Sequence, residues 1–446
     1  MKLRFLLLIL ILLICLPSYA NADTGHIFGT IKDSQTGKAI ANVELRTTDA
    51  ITKSDASGCF ILYTDQNDIV IKHPGYLPQK VSSLGSIHIK LQPFTPRALY
   101  LSYWAADSHK RRQQLQQLLA TTNLNALVID LKSSRGDIAY RSKIPLARTV
   151  KAQKVRTLKD LAEFLAELKQ QGIYTIGRIV VFKDGRLAQN RDDLAIHTQA
   201  GELWLDREGI GWIDPYKTEA WDYNIAIAKE AAALGFDEIQ FDYIRFPAKS
   251  DLQFSQINTG ENRVAAINGF LHRTKQELAP YPVMTSANIF GYICWRHKDQ
   301  KIGQRLVDIA EYVDYVSPML YPSGFQNGIP GYSNPMLNPY ETILHSLQRA
   351  QELGNLSAVR FRPWLQAFRD YAFDRRKFGE NEIRTQIKAS DDSGSHGWML
   401  WNAASRFRIA GLPLLNEVNI ADASDKEKKD SPLLKNPPPQ NTYPLL

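Results

Sequence analysis

The sequence predicts an α/β protein, a (β/α)8 barrel preceded by a small all-β sandwich. From about Ala98 to Leu415, apolar strand-like runs alternate with helical stretches, the pattern of parallel βαβ units. Eight such runs are present, at 98–104, 126–132, 174–182, 238–246, 282–290, 315–321, 360–367 and 397–402, which is the number that closes a barrel. Residues 24–92 show a different rhythm, with short alternating runs split by turn signals. A doubly wound sheet is the alternative for the larger part.

Taken in order, the N-terminus reads as a secretory signal. Lys2 and Arg4 precede an apolar run from Phe5 to Leu16, and Ala20-Asn21-Ala22 fits a small-x-small cleavage site. The expected mature chain begins at Asp23, in the periplasm or outside the cell. The run is short for a membrane span, and no later stretch approaches 18 apolar residues. No membrane span is therefore expected after cleavage. Cys15 follows the bulky Ile14, where a lipidation site wants a small residue. The two other cysteines, Cys59 and Cys294, fall in different predicted domains and are expected to be buried, unpaired thiols.

The β domain is predicted from runs at 26–28, 43–45, 60–62, 69–71 and 87–89. Asp33-Ser34-Gln35-Thr36-Gly37 and Asp55-Ala56-Ser57-Gly58 suit tight turns in which glycine supplies positive φ. In the barrel, helices are expected over 109–121, 157–171, 218–234, 261–279 and 339–352, with Gly235 stopping the third. The expected barrel domain spans 96–420. The end of the chain, 421–446, combines a charge run (Asp425 to Asp430) with Pro437-Pro438-Pro439 and reads as an extended tail.

Barrel strands alternate between the interior and the helix layer, and active sites lie at strand C-terminal ends. In Glu238–Tyr243, Ile239, Phe241 and Tyr243 form one face, and Glu238, Gln240 and Asp242 the other. The polar face must point inward, where a charge needs a partner. Asp242 lies nearest the open end and is the first catalytic candidate, as nucleophile, acid or base; an ion pair with Arg245 or another interior cation is the structural alternative. Glu238 sits deeper and reads as structural. On the second strand Asp130 and Lys132 share a phase and should approach one rim; Asp130 is the second catalytic candidate. Arg178, inward on the third strand, is an expected partner for one of these carboxylates.

Later strands supply Tyr321, Trp364, Gln366, Trp401 and Asn402 at their ends. Sugar rings stack on aromatics and bond to amides, arginines and carboxylates. The loop 183–217, rich in Trp and Asp, suits a cleft wall through Asp206 and Asp214, although Asp214-Pro215 also reads as a helix entry. Asp314 precedes its strand and belongs to the stability face. There is no Gly-rich phosphate loop, Ser-His-Asp motif or HExxH, and nine His lack ligand spacing, so no metal or cofactor is expected. The formal charge of +8 reads as spread along the chain, so nucleic acid is not an expected partner.

Two resemblances follow from these residues. Gly29-Thr30-Ile31, Thr36-Gly37-Lys38-Ala39-Ile40, Ser57-Gly58-Cys59-Phe60 and Pro74-Gly75-Tyr76 resemble the carboxypeptidase regulatory-like, transthyretin-like β-sandwich, which implies a non-catalytic module. Arg178-Ile179-Val180-Val181-Phe182-Lys183-Asp184, Gly235 through Asp242 to Pro247, Ser317 to Ser323, Arg362 to Gln366 and Gly397 to Asn402 resemble the bacterial "putative glycoside hydrolase" family over about 98–405. That resemblance implies a TIM barrel related to polysaccharide-acting hydrolases, with a polysaccharide or oligosaccharide as partner. The family tends to read Ser-x-Asp-x-Phe-Gly after its fifth strand, where this chain has Ser286-Ala287-Asn288-Ile289-Phe290-Gly291. Asn288 is therefore expected either to orient substrate or to mark an impaired enzyme. The rival reading is a non-catalytic glycan-binding barrel.

Overall fold

The computed structural model describes residues 25–415; the expected signal segment and the tail from 421 lie outside them. Seven strands build the N-terminal module: β1 (His26–Asp33), β2 (Glu44–Arg46), β3 (Ile51–Lys53), β4 (Cys59–Tyr63), β5 (Asp68–Lys72), β6 (Gln79–Ser82) and β7 (Gly85–Leu91). They form two sheets, β4-β1-β7 and β3-β2-β5-β6. Their facing sides bury Ile27, Ile31, Val43, Leu45, Phe60, Leu62, Ile69, Ile71, Ile89 and Leu91 in one core. The expected turns form as the side chains dictate. Asp33 accepts the backbone N–H groups of Gln35 and Thr36, and Asp55 those of Ser57 and Cys59. The short strands β3 and β6 have too little alternation to stand out in the sequence. Cys59 is half-exposed rather than buried, and Cys294 is buried in the barrel, so no disulfide joins them.

Eight parallel strands then close a barrel: β8 (Arg97–Leu101), β9 (Ala126–Lys132), β10 (Tyr174–Val180), β12 (Glu238–Asp242), β14 (Met284–Phe290), β15 (Tyr315–Met319), β16 (Trp364–Gln366) and β17 (Trp398–Trp401), with β11 (His197–Thr198) and β13 (Leu252–Gln253) pairing antiparallel outside it. Closure rules out the doubly wound alternative. Helices at His109–Thr121 and Thr218–Leu234 have the expected bounds, and Gly235 ends the latter in the left-handed region. The main core lies between strands and helices and contains Ile239, Phe241, Phe270 and Leu165. The barrel interior holds its own cluster, including Tyr100, Val128, Ile176, Trp364 and Met399.

The polar face of β12 does point inward. Glu238 pairs with Arg362 at 2.6 Å with both side chains fully buried, and also accepts from Tyr174 and Ser286. Gln240 donates toward Ser317 Oγ at 3.5 Å and Met399 Sδ at 3.4 Å in the layer above. The β-module caps the opposite, N-terminal end. Lys72 pairs with Asp314 at 2.9 Å and donates to the Val283 carbonyl, and the Gly75 N–H donates to the Tyr315 hydroxyl. Phe94 stacks on Tyr174 at 5.1 Å beneath the barrel. The C-terminal rim stays open.

Candidate active site

Three neighbouring strands meet at that rim. Asp130 lies two residues before the end of β9, Arg178 sits opposite it on β10, and Asp242 ends β12. Arg178 binds both carboxylates: Nη1 reaches Asp130 Oδ1 at 2.6 Å, while Nε and Nη2 reach Asp242 Oδ2 at 2.9 and 2.6 Å. All three are buried. Burial opposes the Arg178 charge, but Asp130 and Asp242 outweigh it and hold the guanidinium well above its ordinary pKa. Asp130 also accepts from the Tyr100 hydroxyl and the Tyr103 N–H. The free oxygen of Asp242 accepts the Tyr243 N–H at 2.6 Å. That bond goes with a strained backbone, since Tyr243 has φ 49°. Strain of this kind clusters at functional sites. Of the interior cations expected to pair with Asp242, Arg178 does so and Arg245 does not, and Arg178 binds Asp130 as well.

This triad floors a cleft of about 450 Å3, within the range of small-ligand sites. Trp401 stacks on Tyr100 at 4.0 Å, and Arg178 lies over the Trp401 ring at 5.0 Å. Tyr321 adds a half-buried ring, and Trp104 an exposed one at the mouth. Burial raises the hydroxyl pKa of both Tyr100 and Tyr321 well above the usual value, so both remain proton donors. Asn288 lines the same wall. Its Oδ1 accepts the Trp364 indole N–H at 2.9 Å, which turns its Nδ2 toward the cleft.

The remaining expected residues lie elsewhere. Lys132 does not approach the rim beside Asp130. The register shifts between Arg178 and Ile179, and Lys132 turns into the helix layer, where it pairs with Asp184 at 2.7 Å and donates to Val180 O and Asn224 Oδ1. Asp206 folds its own turn: it accepts the N–H groups of Glu208 and Ile210 and the Trp212 indole, and pairs with Lys183. Asp214 is buried and accepts from Tyr216 and Ser255, which staples two loops. Arg245 is sandwiched over Trp212, Tyr243 and Phe290, behind the cleft wall. Trp364 is fully buried behind the cleft, where it donates to Asn288 and packs edge-on against Tyr100 and Trp401. Gln366 is fully buried among Ser323, Phe368 and Gln386. Asn402 caps its own turn through Ala404 and Arg406 and donates to Ala367 O. Of the sequence-named residues, the cleft gathers Asp130, Asp242, Arg178, Asn288, Tyr321 and Trp401.

Sequence reasoning missed Tyr100, Tyr103, Trp104, Tyr243, Met319 and Glu208. Tyr100 was accessible to the same phase argument applied to β8. Glu208 has no such signal, because a folded loop brings it in. Helix Gly185–Asn190, β11 and the bridges Lys183↔Trp212 and Leu205↔Gly211 carry it to the rim, where it pairs with Lys183 at 3.1 Å.

Fold and site together define a (β/α)8 barrel with an acidic, aromatic cleft at the C-terminal ends of its strands. The chain belongs to the family described as "Putative glycosyl hydrolase domain", whose model matches residues 98–407. No curated protein matches it. Among solved structures it is similar to a hypothetical protein from Ruminiclostridium thermocellum, with 37% identity over 42% of this chain and 96% of that one and a TM-score of 0.39. It is similar to the PgaB (BpsB) glycoside hydrolase domain from Bordetella bronchiseptica at 13% identity, over 75% and 98% of the two chains, with a TM-score of 0.47. It is also similar to a beta-galactosidase from the psychrophilic Marinomonas ef1, at 10% identity over 74% and 59%, with a TM-score of 0.52; that likeness bears on the fold alone.

Proposed function

We propose that this protein is an exported glycoside hydrolase that cleaves a polysaccharide or cell-envelope glycan. The observation that carries the reading is the pair of strand-end carboxylates, Asp130 and Asp242, held on one guanidinium at the floor of an aromatic cleft. Glycoside hydrolysis needs two carboxyl groups roughly 5 to 9.5 Å apart, and the shared Arg178 guanidinium holds Asp130 and Asp242 as neighbours on the cleft floor. Asp242 serves as nucleophile or base. Asp130 is its partner. Two carboxylates around one arginine leave negative charge for an oxocarbenium-like transition state. Trp401 and Tyr321 offer ring faces to sugar C–H bonds. The N-terminal segment ending at Ala22 supports export, and among the described residues no helix is long and apolar enough to cross a membrane.

The test is reducing-end release from a panel of cell-wall and storage glycans, using protein recovered from the periplasm or medium with Asp23 as its first residue. Asp242→Asn is expected to lower kcat by about 10²–10⁴-fold, the usual span for loss of a positioned acid or base. Asn288, an amide in the cleft wall that cannot act as an acid, favours the second reading, a glycan-binding barrel without turnover. That reading wins if no glycan yields reducing ends while binding persists in Asp242→Asn.

A further inference from the structure

Positive charge is not spread evenly over the molecule. Between Asp137 and Asp160 the chain carries seven Lys and Arg and no acidic residue. Five of them, Arg141, Arg148, Lys151, Lys154 and Arg156, line a cavity of about 720 Å3. All five are exposed, and among the described residues none makes an ion pair. Elsewhere the protein pairs its surface cations freely, as in Arg191 with Asp193 and Glu219. Like charges gathered without counter-ions repel one another and raise the local concentration of anions.

The scaffold beneath these cations is built rather than loose. Helix Pro145–Thr149 crosses the segment, and Gln153 clasps Ser142 by accepting its N–H at 3.1 Å and donating to its carbonyl at 2.9 Å. Ala147, Val150 and Ala152 are fully buried below. Backbone bonds from Ile138 to Ala152 O and from Leu158 to Ala139 O tie both ends down. The carboxylate that reaches this loop, Glu230, is already engaged, accepting the Lys143 N–H and the Tyr140 hydroxyl.

A second observation connects the cavity to the cleft. Tyr103 lines the cleft and donates its hydroxyl to the carbonyl of Val155, which stands between Lys154 and Arg156. Arg135, earlier on the same connection, lines the cleft as well. Trp104, 61% exposed, packs edge-on against Tyr103 at this junction. The basic loop and the aromatic cleft are therefore joined through Tyr103 and Val155.

We propose that the 141–156 loop is a binding site for the acidic groups of a polyanionic polysaccharide whose chain extends from the cleft. The choice of a polysaccharide over another polyanion rests on the glycan reading of the cleft. The cavity lining itself contains no aromatic side chain, whereas sites for single-stranded nucleic acid interleave cations with stacking rings.

Affinity electrophoresis of the full-length protein through gels containing polygalacturonate, heparin, dextran or poly-U tests this. Retardation by polygalacturonate or heparin, with dextran at least about tenfold weaker, is the expected result, and it should weaken with salt as counter-ions compete. The order of polygalacturonate and heparin tells carboxylate from sulfate recognition. Reversing charge in Arg148→Glu/Lys154→Glu/Arg156→Glu should weaken binding about tenfold or more; the neutral Gln triple variant gives the same direction if the reversed one folds poorly. Equal retardation by dextran, unchanged binding in both triple variants, or tighter binding to poly-U than to either acidic glycan overturns the proposal. Reducing ends measured in the same mixtures separate the two readings. Retardation without product here or from any glycan of the wider panel leaves this site standing and removes the hydrolase; product from a neutral glycan without retardation by either acidic polymer does the reverse.

Discussion

At the scale of single residues, the site turns on what each polar group has left to offer. Arg178 spends its donors on Asp130 and Asp242. Asn288 spends its oxygen on Trp364, and among the described residues no protein acceptor takes its Nδ2, which remains a donor at the cleft wall. Asn288 is therefore suited to orient a sugar hydroxyl rather than to protonate a leaving group. Asn288→Asp swaps that donor for an acceptor while preserving shape and the Trp364 bond. The expected outcome is no gain in kcat and a fall of about tenfold in kcat/KM, near 1.4 kcal/mol, measured on whichever glycan the wild type cleaves. A rise in kcat would show instead that an acid belongs there. The pair of catalytic candidates was legible from alternation along β9 and β12, because a buried carboxylate in an otherwise apolar barrel is conspicuous. The fate of Lys132 was not legible: one register shift beside Arg178 turns it away from the rim, and sequence phase assumes an unbroken ladder.

Elements follow a similar division. Strands and helices with strong periodicity fall where the sequence places them, and those defined by pairing alone, such as β3 and β6, do not announce themselves. Gln366 and Asn402 look like ligand-binding amides in sequence because strand ends are where ligands bind. In the fold, loop backbone at those ends claims them first. Eight runs announce a closed barrel, but the tight contact at its seam emerges only from the pairing of β17 with β8. Gly397 (φ 76°) precedes β17, and a Cβ there would lie 1.8 Å from the Pro96 carbonyl, which accepts the Trp398 N–H beside the start of β8. Gly172 shares the left-handed backbone (φ 69°) but faces open space. Gly172→Ala should cost only the conformational strain, about 1–3 kcal/mol. Gly397→Ala should cost clearly more, since backbone must move where the barrel closes. Denaturant unfolding of both variants measures the difference, and equal losses would refute the clash at the seam.

On the scale of the whole molecule, the seam between the β-module and the barrel carries two buried histidines that resist protonation. His73 and His396 lie where the β-module meets the barrel. Burial lowers the His73 pKa to about 4, Asp314 pulling it up and Arg360 pushing it down. Burial likewise lowers that of His396 to about 3, helped by Arg362 and Arg97 and opposed by its bond to Phe94 O. Unfolded, each would titrate near 6.5. Below that pH the unfolded chain therefore takes up protons that the folded one refuses. The stability from these two groups is fully present above 6.5 and is lost progressively as pH falls toward 4 and 3. Asp391 works in the other sense. Burial raises it to about 6, so its folded form keeps a proton that the unfolded chain has released, and its contribution declines as pH rises from 3.8 to 6. Two histidines against one carboxylate leave a net loss of stability on acidification across the window they share. Melting temperatures of the wild type should therefore fall between pH 7 and about 4.5, and His73→Gln/His396→Gln should flatten that fall by removing both titrations. Other carboxylates titrate in both proteins and cancel in the comparison. An unaltered pH slope in the double variant would mean that the module–barrel seam does not carry the acid sensitivity. A flattened slope would place the acid sensitivity at the base of the barrel, where the β-module is seated.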